Sequence, residues 1–71
     1  MKCKYYVSFA FGYEGENIAK FGSGTYTTTI NPNKDINKFL DNVEKLVAKD
    51  IFLDTKVHVT SIAILNFIKL K

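Results

Sequence analysis

The chain contains one segment with helical periodicity, and this single helix limits how many layers the fold can have. From Ile36 to Val47, apolar residues recur at spacings of three, four and seven, which is typical of an amphipathic helix of about four turns. The remaining apolar segments alternate at strand spacing. The sequence therefore predicts an α+β domain in which one helix covers one face of a β-sheet.

The predicted helix has clear signals at its start. Pro32 ends the preceding strand, because proline cannot donate a hydrogen bond to a β-ladder. We expect Asn33 to be the N-cap residue and Asp35 to lie in the first turn, where a carboxylate is favourable. Asp41 and Lys45 are four residues apart on the outer face, and this spacing predicts an ion pair.

Three segments are predicted to be strands. Residues 4–11 alternate between two faces, residues 21–30 are rich in β-branched and aromatic residues, and residues 56–70 form a long final strand. A polar loop over residues 12–20 joins the first two strands into a hairpin. This loop of about nine residues is longer than most hairpin connections.

Two strands are expected to be irregular. Gly22 and Gly24 lie at the start of the second strand and predict a bulge or an irregular beginning. In the last strand, Val59 has one parity and Ile62 the other, which predicts a bulge or bend near residues 60–61.

The order of elements predicts a β-β-α-β domain that spans residues 1–71. A right-handed crossover through the helix would return the third strand beside the first, giving a three-stranded antiparallel sheet of order 2-1-3. The helix is expected to pack across Val7, Phe9, Ile62 and Ile64. The opposite face has no helix to cover it, and we expect it to carry Tyr6, Ala10, Leu65 and Phe67.

An uncovered apolar face predicts self-association. Removing apolar surface from water is favourable by about 25 cal/mol per Å². We therefore expect a homo-oligomer, with a dimer formed by sheet stacking or edge pairing as the first hypothesis. The alternative is a monomer with scattered exposed apolar residues.

Charge and cysteine content restrict the classes of partner. The ten basic residues are all lysine and the net charge is +3, which argues against sequence-specific DNA recognition because arginine is the usual reader of guanine. Weak, non-specific nucleic-acid binding stays as an alternative. No apolar run approaches the length of a membrane span. The single cysteine, Cys3, cannot form an intramolecular disulfide, so a reducing, cytoplasmic compartment is expected.

The sequence offers little for catalysis. His58 is the only histidine, and we interpret it as a half-exposed strand residue. Cys3 has no neighbouring base that could orient it as a nucleophile. Glu14 and Glu16 could serve acid–base chemistry, but two acids in a hairpin tip are more typical of a solvated loop. We therefore predict a protein without enzymatic activity, catalytic residues, metal or cofactor.

One ligand site is hypothesised near the hairpin. Tyrosine rings, a lysine and flexible glycines together could hold a nucleotide-like molecule. The residues of this hypothesis are Tyr13, Lys20, Gly22, Gly24 and Tyr26. The alternative is that the glycines only serve the backbone geometry of a wide hairpin.

The pattern as a whole resembles small proteins carried by phages and prophages of low-GC Gram-positive bacteria. The resemblance is carried by Tyr-Tyr-Val-Ser-Phe at 5–9, Phe-Gly-Ser-Gly at 21–24, Asp-Ile at 35–36 and Ile-Leu-Asn-Phe-Ile-Lys-Leu at 64–70. It implies a non-enzymatic accessory factor that acts against a host defence component, by binding a host protein or by sequestering a nucleotide signal.

Overall fold

The computed structural model has the predicted β-β-α-β order. It describes residues 2–13, 15 and 19–70. The elements are β1 (Cys3–Tyr13), β2 (Lys20–Thr28), α1 (Ile36–Thr55) and β3 (Val59–Lys69). The strands form one antiparallel sheet of order β2-β1-β3, so the predicted α+β fold and strand order are confirmed.

The core lies between α1 and one face of the sheet, which we call the covered face. Alternate residues of β1 point to this face because side chains on a strand alternate. The buried apolar side chains are Tyr5, Val7, Phe9, Phe39, Val43, Val47 and Ile51. Ile62 and Ile64 of β3 pack against this cluster, so the predicted helix-packing positions are confirmed.

Aromatic rings join the helix to the sheet. The ring of Phe39 lies 4.9 Å from that of Tyr5 and 4.8 Å from that of Phe67, measured between centroids. The edge-on and tilted geometries are those that aromatic pairs prefer. Phe39 has no exposed surface, and it anchors the first turn of the helix on the sheet.

The N-cap residue of the helix lies two positions later than predicted. Asp35, not Asn33, is the N-cap residue, and the Lys38 N–H donates to its carboxylate at 3.0 Å. The Asn33 N–H instead donates to the side chain of Asn31 at 2.9 Å. Such an Asx turn uses a local side chain–backbone bond in place of helix. The predicted cap was wrong because the stretch offers several polar residues able to cap.

The far end of α1 is also defined by local chemistry. Lys56 adopts the left-handed conformation (φ 64°), and its N–H donates to the Phe52 carbonyl at 2.7 Å. The helix ends at Thr55 and so extends beyond Val47, the last residue of the predicted apolar stripe. On its outer face, the expected ion pair between Asp41 and Lys45 is present at 3.3 Å.

Strand β3 leaves regular pairing with β1 at two places. Gly12 pairs with Ser61 and Tyr13 with Val59, so Thr60 is the extra residue of a bulge, as predicted. The Thr60 hydroxyl donates to the Gly12 carbonyl at 3.2 Å. A second register shift lies between Ser8 and Phe9, and it makes Leu65 an extra residue that the sequence pattern did not reveal.

Strand β2, in contrast, pairs with β1 without interruption from Thr28 to Lys20. The predicted irregular start at Gly22 and Gly24 is therefore wrong. Both glycines face large rings: a Cβ at Gly22 would lie 3.0 Å from the Phe9 ring, and one at Gly24 would lie 3.1 Å from the Tyr26 hydroxyl. A larger residue at either position would require the neighbouring ring to shift by a few tenths of an ångström.

Candidate functional site

The sheet surface opposite the helix forms the main candidate site, and we call it the open face. It carries the alternate residues of β1 that point away from α1, with their neighbours on β2 and β3. Its exposed large apolar side chains are Tyr6 (43 % exposed), Phe21 (73 %), Leu65 (57 %) and Ile68 (55 %). No described element covers these side chains. A polar row of Ser23, Ser8 and Asn66 crosses the sheet between Tyr6 and Phe21 and interrupts the apolar surface there. Exposed apolar side chains on one sheet face are typical of an interaction surface.

The open face is arranged in rows across the sheet. Tyr6 lies between Thr25 on β2 and Ile68 on β3, while Ala10 lies between Phe21 and Ala63. The Tyr6 hydroxyl donates to Ser23 Oγ at 2.8 Å, which fixes the tyrosine ring along β2. The β3 side is therefore mainly apolar, and the β2 side is rich in hydroxyl groups.

Charge is nearly absent from this surface. None of the three strands contains an acidic residue, and their only charged residues are Lys4, Lys20 and Lys69. Lys20 pairs with Phe11 and Lys69 with Tyr5, so both lysines belong to the covered side. Lys4 is the single charged strand residue on the open side, and it lies at one end.

The predicted position of Phe67 on the uncovered face is wrong. The bulge at Leu65 shifts the alternation by one residue, because two residues of β3 then oppose one of β1. Phe67 consequently packs on the core, 6.1 Å from the Tyr5 ring. Ile68, which uninterrupted alternation would place on the same face as Ile64, takes its place on the open face. Tyr6, Ala10 and Leu65 lie on the face that was predicted for them.

Phe21 is a second open-face residue, besides Ile68, that the sequence pattern did not reveal. As the first residue of a strand predicted to start irregularly, Phe21 has no face or partner that the sequence pattern predicts. Its pairing with Ala10 places it on the open face, where it is the most exposed large apolar side chain. Strict alternation from Thr27 back to Phe21 would have found it.

The residues of the hairpin hypothesis all lie on the covered side of the sheet. Lys20 Nζ lies 5.6 Å from the centre of the Tyr13 ring, within cation–π distance. The spaces beside Gly22 and Gly24 are occupied by the rings of Phe9 and Tyr26. The structure thus brings Tyr13 and Lys20 together, whereas the glycines accommodate aromatic rings. Glu14 and Glu16 lie outside the described residues.

Tyr26 is hydrogen-bonded to a side chain of the helix. Its hydroxyl donates to Asp50 Oδ2 at 3.0 Å. Partial burial raises the pKa of Tyr26 from 10.0 to about 12, and the bond to Asp50 and the negative charge of this carboxylate add to the shift. The phenol therefore stays protonated well above neutral pH, and its hydrogen bond joins β2 to α1.

The remaining candidate groups for chemistry are isolated. His58 is exposed, precedes the first residue of β3 and stacks on the Phe52 ring with centroids 4.5 Å apart. Cys3 is a free, half-buried thiol at the start of β1. Within the described part of the chain, no group of three or more His, Cys, Asp or Glu side chains has the geometry to hold a metal ion.

Comparison with protein families, with curated proteins and with solved structures gives no match. Within residues 2–13, 15 and 19–70, no helix combines the length and the hydropathy that a membrane-spanning segment requires. The candidate function therefore follows from the geometry of the open face.

Proposed function

We propose that the protein is a non-enzymatic interaction module that forms a homodimer by stacking two open faces. The observation that carries the proposal is the uncharged apolar surface around Tyr6, Phe21, Leu65 and Ile68, which α1 leaves exposed. Two sheets stack about 10 Å apart when their facing side chains interdigitate. The dimer would have four layers, with the helices outside and the sheets inside.

The chemistry of the open face supports a second copy as its occupant. A strongly acidic or basic partner would gain little there, because Lys4 is the only charged strand residue on this side. A two-fold axis would bring the same apolar and hydroxyl groups of both copies together, and such groups attract one another without needing opposite charge. Leu65 and Ile68 on β3 would then be buried.

The test is the oligomeric state of matched lysine variants. Leu65 on the open face and Leu53 on the helix are exposed to almost the same extent, 57 % and 59 %. We expect a dimer for the wild type and for Leu53→Lys, and a monomer for Leu65→Lys, by light scattering at submillimolar protein. Burying two uncompensated ammonium groups at a dimer interface is strongly unfavourable.

Two results would refute the proposal. A monomeric wild type at submillimolar concentration would show that the open face does not associate. A Leu65→Lys variant that stays dimeric, with an unchanged far-UV circular dichroism spectrum, would move the contact to another surface. Ile68→Lys provides a second variant on the same face should Leu65→Lys fail to fold.

The biological setting is proposed from the resemblance to phage proteins. We infer that such a module acts as an accessory factor against a host component, and that it does so by binding. An open face that associates with itself could also receive a host protein. If so, Leu65→Lys should abolish both dimerisation and the effect of the protein on phage infection, whereas Leu53→Lys should preserve both.

Nucleic-acid binding receives less support from the lysine positions. Lys4 lies on the open side, while Lys20 and Lys69 lie on the covered side, so the strand lysines do not form one basic surface. Binding that depends on phosphate charge weakens steeply with salt. Affinity for a single-stranded oligonucleotide that is measurable and falls steeply with added salt would favour this alternative over the dimer module.

A further inference from the structure

A second candidate site lies at the end of the sheet, away from the open face. A cavity of about 530 Å³ separates the start of β1 and the end of β3 from the connection between β2 and α1. We call it the end cavity. Its size falls within the range of small-molecule pockets. Tyr5, Phe67 and Lys69 contribute to it from the sheet, and residues 28–34 contribute from the other side.

The charge of the end cavity is positive. Lys34 and Lys69 line it, and among the described residues no carboxylate does. Neither lysine forms an ion pair with a described acidic side chain. The adjacent Asp35 is engaged elsewhere, since its carboxylate accepts the Lys38 N–H at the start of the helix. Two ammonium groups at one opening favour an anionic ligand.

A buried hydroxyl group provides an independent indication of a ligand. Tyr5 is 5 % exposed, and its ring is fixed between those of Phe39 and Phe67. Its hydroxyl has no hydrogen-bond partner among the described residues. Among the described residues, every fully buried side-chain oxygen has a hydrogen-bond partner. The Tyr5 hydroxyl has none, so it is not fully buried and keeps some surface accessible to solvent. Its small accessible surface is therefore assigned to the end cavity, which Tyr5 lines.

Tyr5 and Lys69 are also held in register. They are cross-strand partners on β1 and β3, so their side chains lie side by side on the same face of the sheet. The Leu70 N–H donates to the Lys4 carbonyl at 2.8 Å, which extends the pairing past Lys69. The backbone therefore fixes Tyr5, which carries the hydroxyl donor, and Lys69, which carries the ammonium group, at neighbouring positions.

We propose that the end cavity binds a small organic oxyanion, in which a phosphate or carboxylate group is attached to an apolar ring. The Tyr5 hydroxyl donates to an anionic oxygen, and Lys34 and Lys69 balance the charge. The Phe67 ring and Ile30 supply apolar contact for the rest of the ligand. This site is separate from the open face and from the hairpin residues Tyr13 and Lys20, so it is independent of the proposed dimer.

The first test compares four probes of similar shape and different charge. Phenyl phosphate and benzoate are expected to bind, whereas benzylammonium and benzyl alcohol are not. Amide resonances of residues 28–31, 33 and 34 should shift on titration, and bound ligand should slow the reaction of Cys3 with a neutral maleimide. Cys3 lines the cavity and is the only cysteine, so the labelling reports on this site alone. Equal binding of phenyl phosphate and benzyl alcohol, or no shift at millimolar phenyl phosphate, would overturn the proposal.

The second test uses variants with a matched control. Tyr5→Phe removes one oxygen and keeps the ring, and it should weaken phenyl phosphate binding about tenfold, as expected for a lost bond to a charged acceptor. Lys69→Gln should weaken it similarly. Lys45→Gln removes the same charge from the outer face of the helix, beside Asp41, and should leave the affinity unchanged.

These variants separate a specific site from general attraction to a basic protein. An equal loss of affinity in Lys45→Gln and Lys69→Gln would contradict a localised site, as would wild-type affinity in Tyr5→Phe. Lys69 is exposed, so Lys69→Gln keeps the test decisive even if Tyr5→Phe does not fold.

Discussion

The two faces of the sheet differ in burial, although alternate residues of the same strands form both of them. On the covered face, Tyr5, Val7 and Phe9 are buried against the helix, with at most 5 % of each side chain exposed. On the open face, Tyr6 and Leu65 keep about half of their surface in solvent. The covered face therefore supplies the core of the fold, while the open face stays exposed and is the surface on which we propose association.

The same comparison shows that one inserted residue decides whether a β3 side chain lies on the covered face or on the open face. A single extra residue at Leu65 exchanges the faces of everything that follows it on β3. Phe67 joins the core and Ile68 becomes exposed. Substitutions at residues that point to opposite faces should therefore have different effects.

The largest difference is expected between Phe67→Ala and Leu65→Ala. Phe67 packs on Phe39 and Tyr5, so removing its ring leaves a cavity and should lower the free energy of unfolding by about 3 kcal/mol. Leu65→Ala removes an exposed side chain and should change the free energy of unfolding of the monomer by less than about 0.5 kcal/mol. Urea unfolding followed by far-UV circular dichroism measures both values.

Protein concentration has to be controlled in this comparison. The apparent stability of a dimer rises with concentration, so both variants are measured where light scattering finds monomer. If Leu65→Ala were as destabilising as Phe67→Ala under these conditions, the second bulge would be misplaced and Leu65 would belong to the core.

An intermediate difference is expected on β2, between Gly22→Ala and Ser23→Ala. A Cβ at Gly22 would lie 3.0 Å from the Phe9 ring, and this ring is 4 % exposed and has little space to move. Overpacking of this kind should cost about 1–2 kcal/mol, even after the gain from stiffening the unfolded chain. Ser23→Ala only removes an exposed hydrogen bond from Tyr6 and should cost less than about 0.5 kcal/mol.

The same unfolding measurement distinguishes packing from backbone geometry. If Gly22 served an irregular backbone, as its sequence context suggested, Gly22→Ala would strain the pairing of β2 with β1. The regular register predicts instead that the Phe9 ring is displaced. A stabilised Gly22→Ala variant would indicate that the ring moves freely and that the glycine is not required for packing.

The sequence was sufficient for the order of elements and for the covered face before the second bulge. Alternation in β1 and the helical spacing after Ile36 each identify one buried side unambiguously. In the second half of β3 the pattern is uninformative, because residues on both faces are apolar from Ile62 onward, apart from Asn66 and Lys69. A bulge there leaves no trace in hydrophobicity, and only pairing with β1 reveals it.

The candidate sites were predictable to different degrees. Tyr6 and Leu65 follow from alternation and from the presence of one helix. The end cavity was not predictable, because it joins the start of β1 to the end of β3 and to a connection whose turns depend on local side-chain bonds. Residues far apart in sequence form such a site only after the register is set.

The smallest difference is expected between two tyrosine hydroxyls, in Tyr26→Phe and Tyr6→Phe. Both hydroxyls donate one hydrogen bond, Tyr26 to Asp50 and Tyr6 to Ser23. At neutral pH each variant should lose no more than about 1 kcal/mol of stability.

At alkaline pH we expect a further effect of Tyr26→Phe, because the pKa of Tyr26 is raised to about 12 in the folded protein. Unfolded Tyr26 releases its proton near pH 10, whereas folded Tyr26 keeps it, so the folded state binds more protons in this window. The free energy of unfolding should therefore fall as the pH rises from about 10 to about 12. Tyr26→Phe should make this fall shallower than in the wild type. Equal slopes for Tyr26→Phe and the wild type would mean that the bond between β2 and Asp50 does not form in solution.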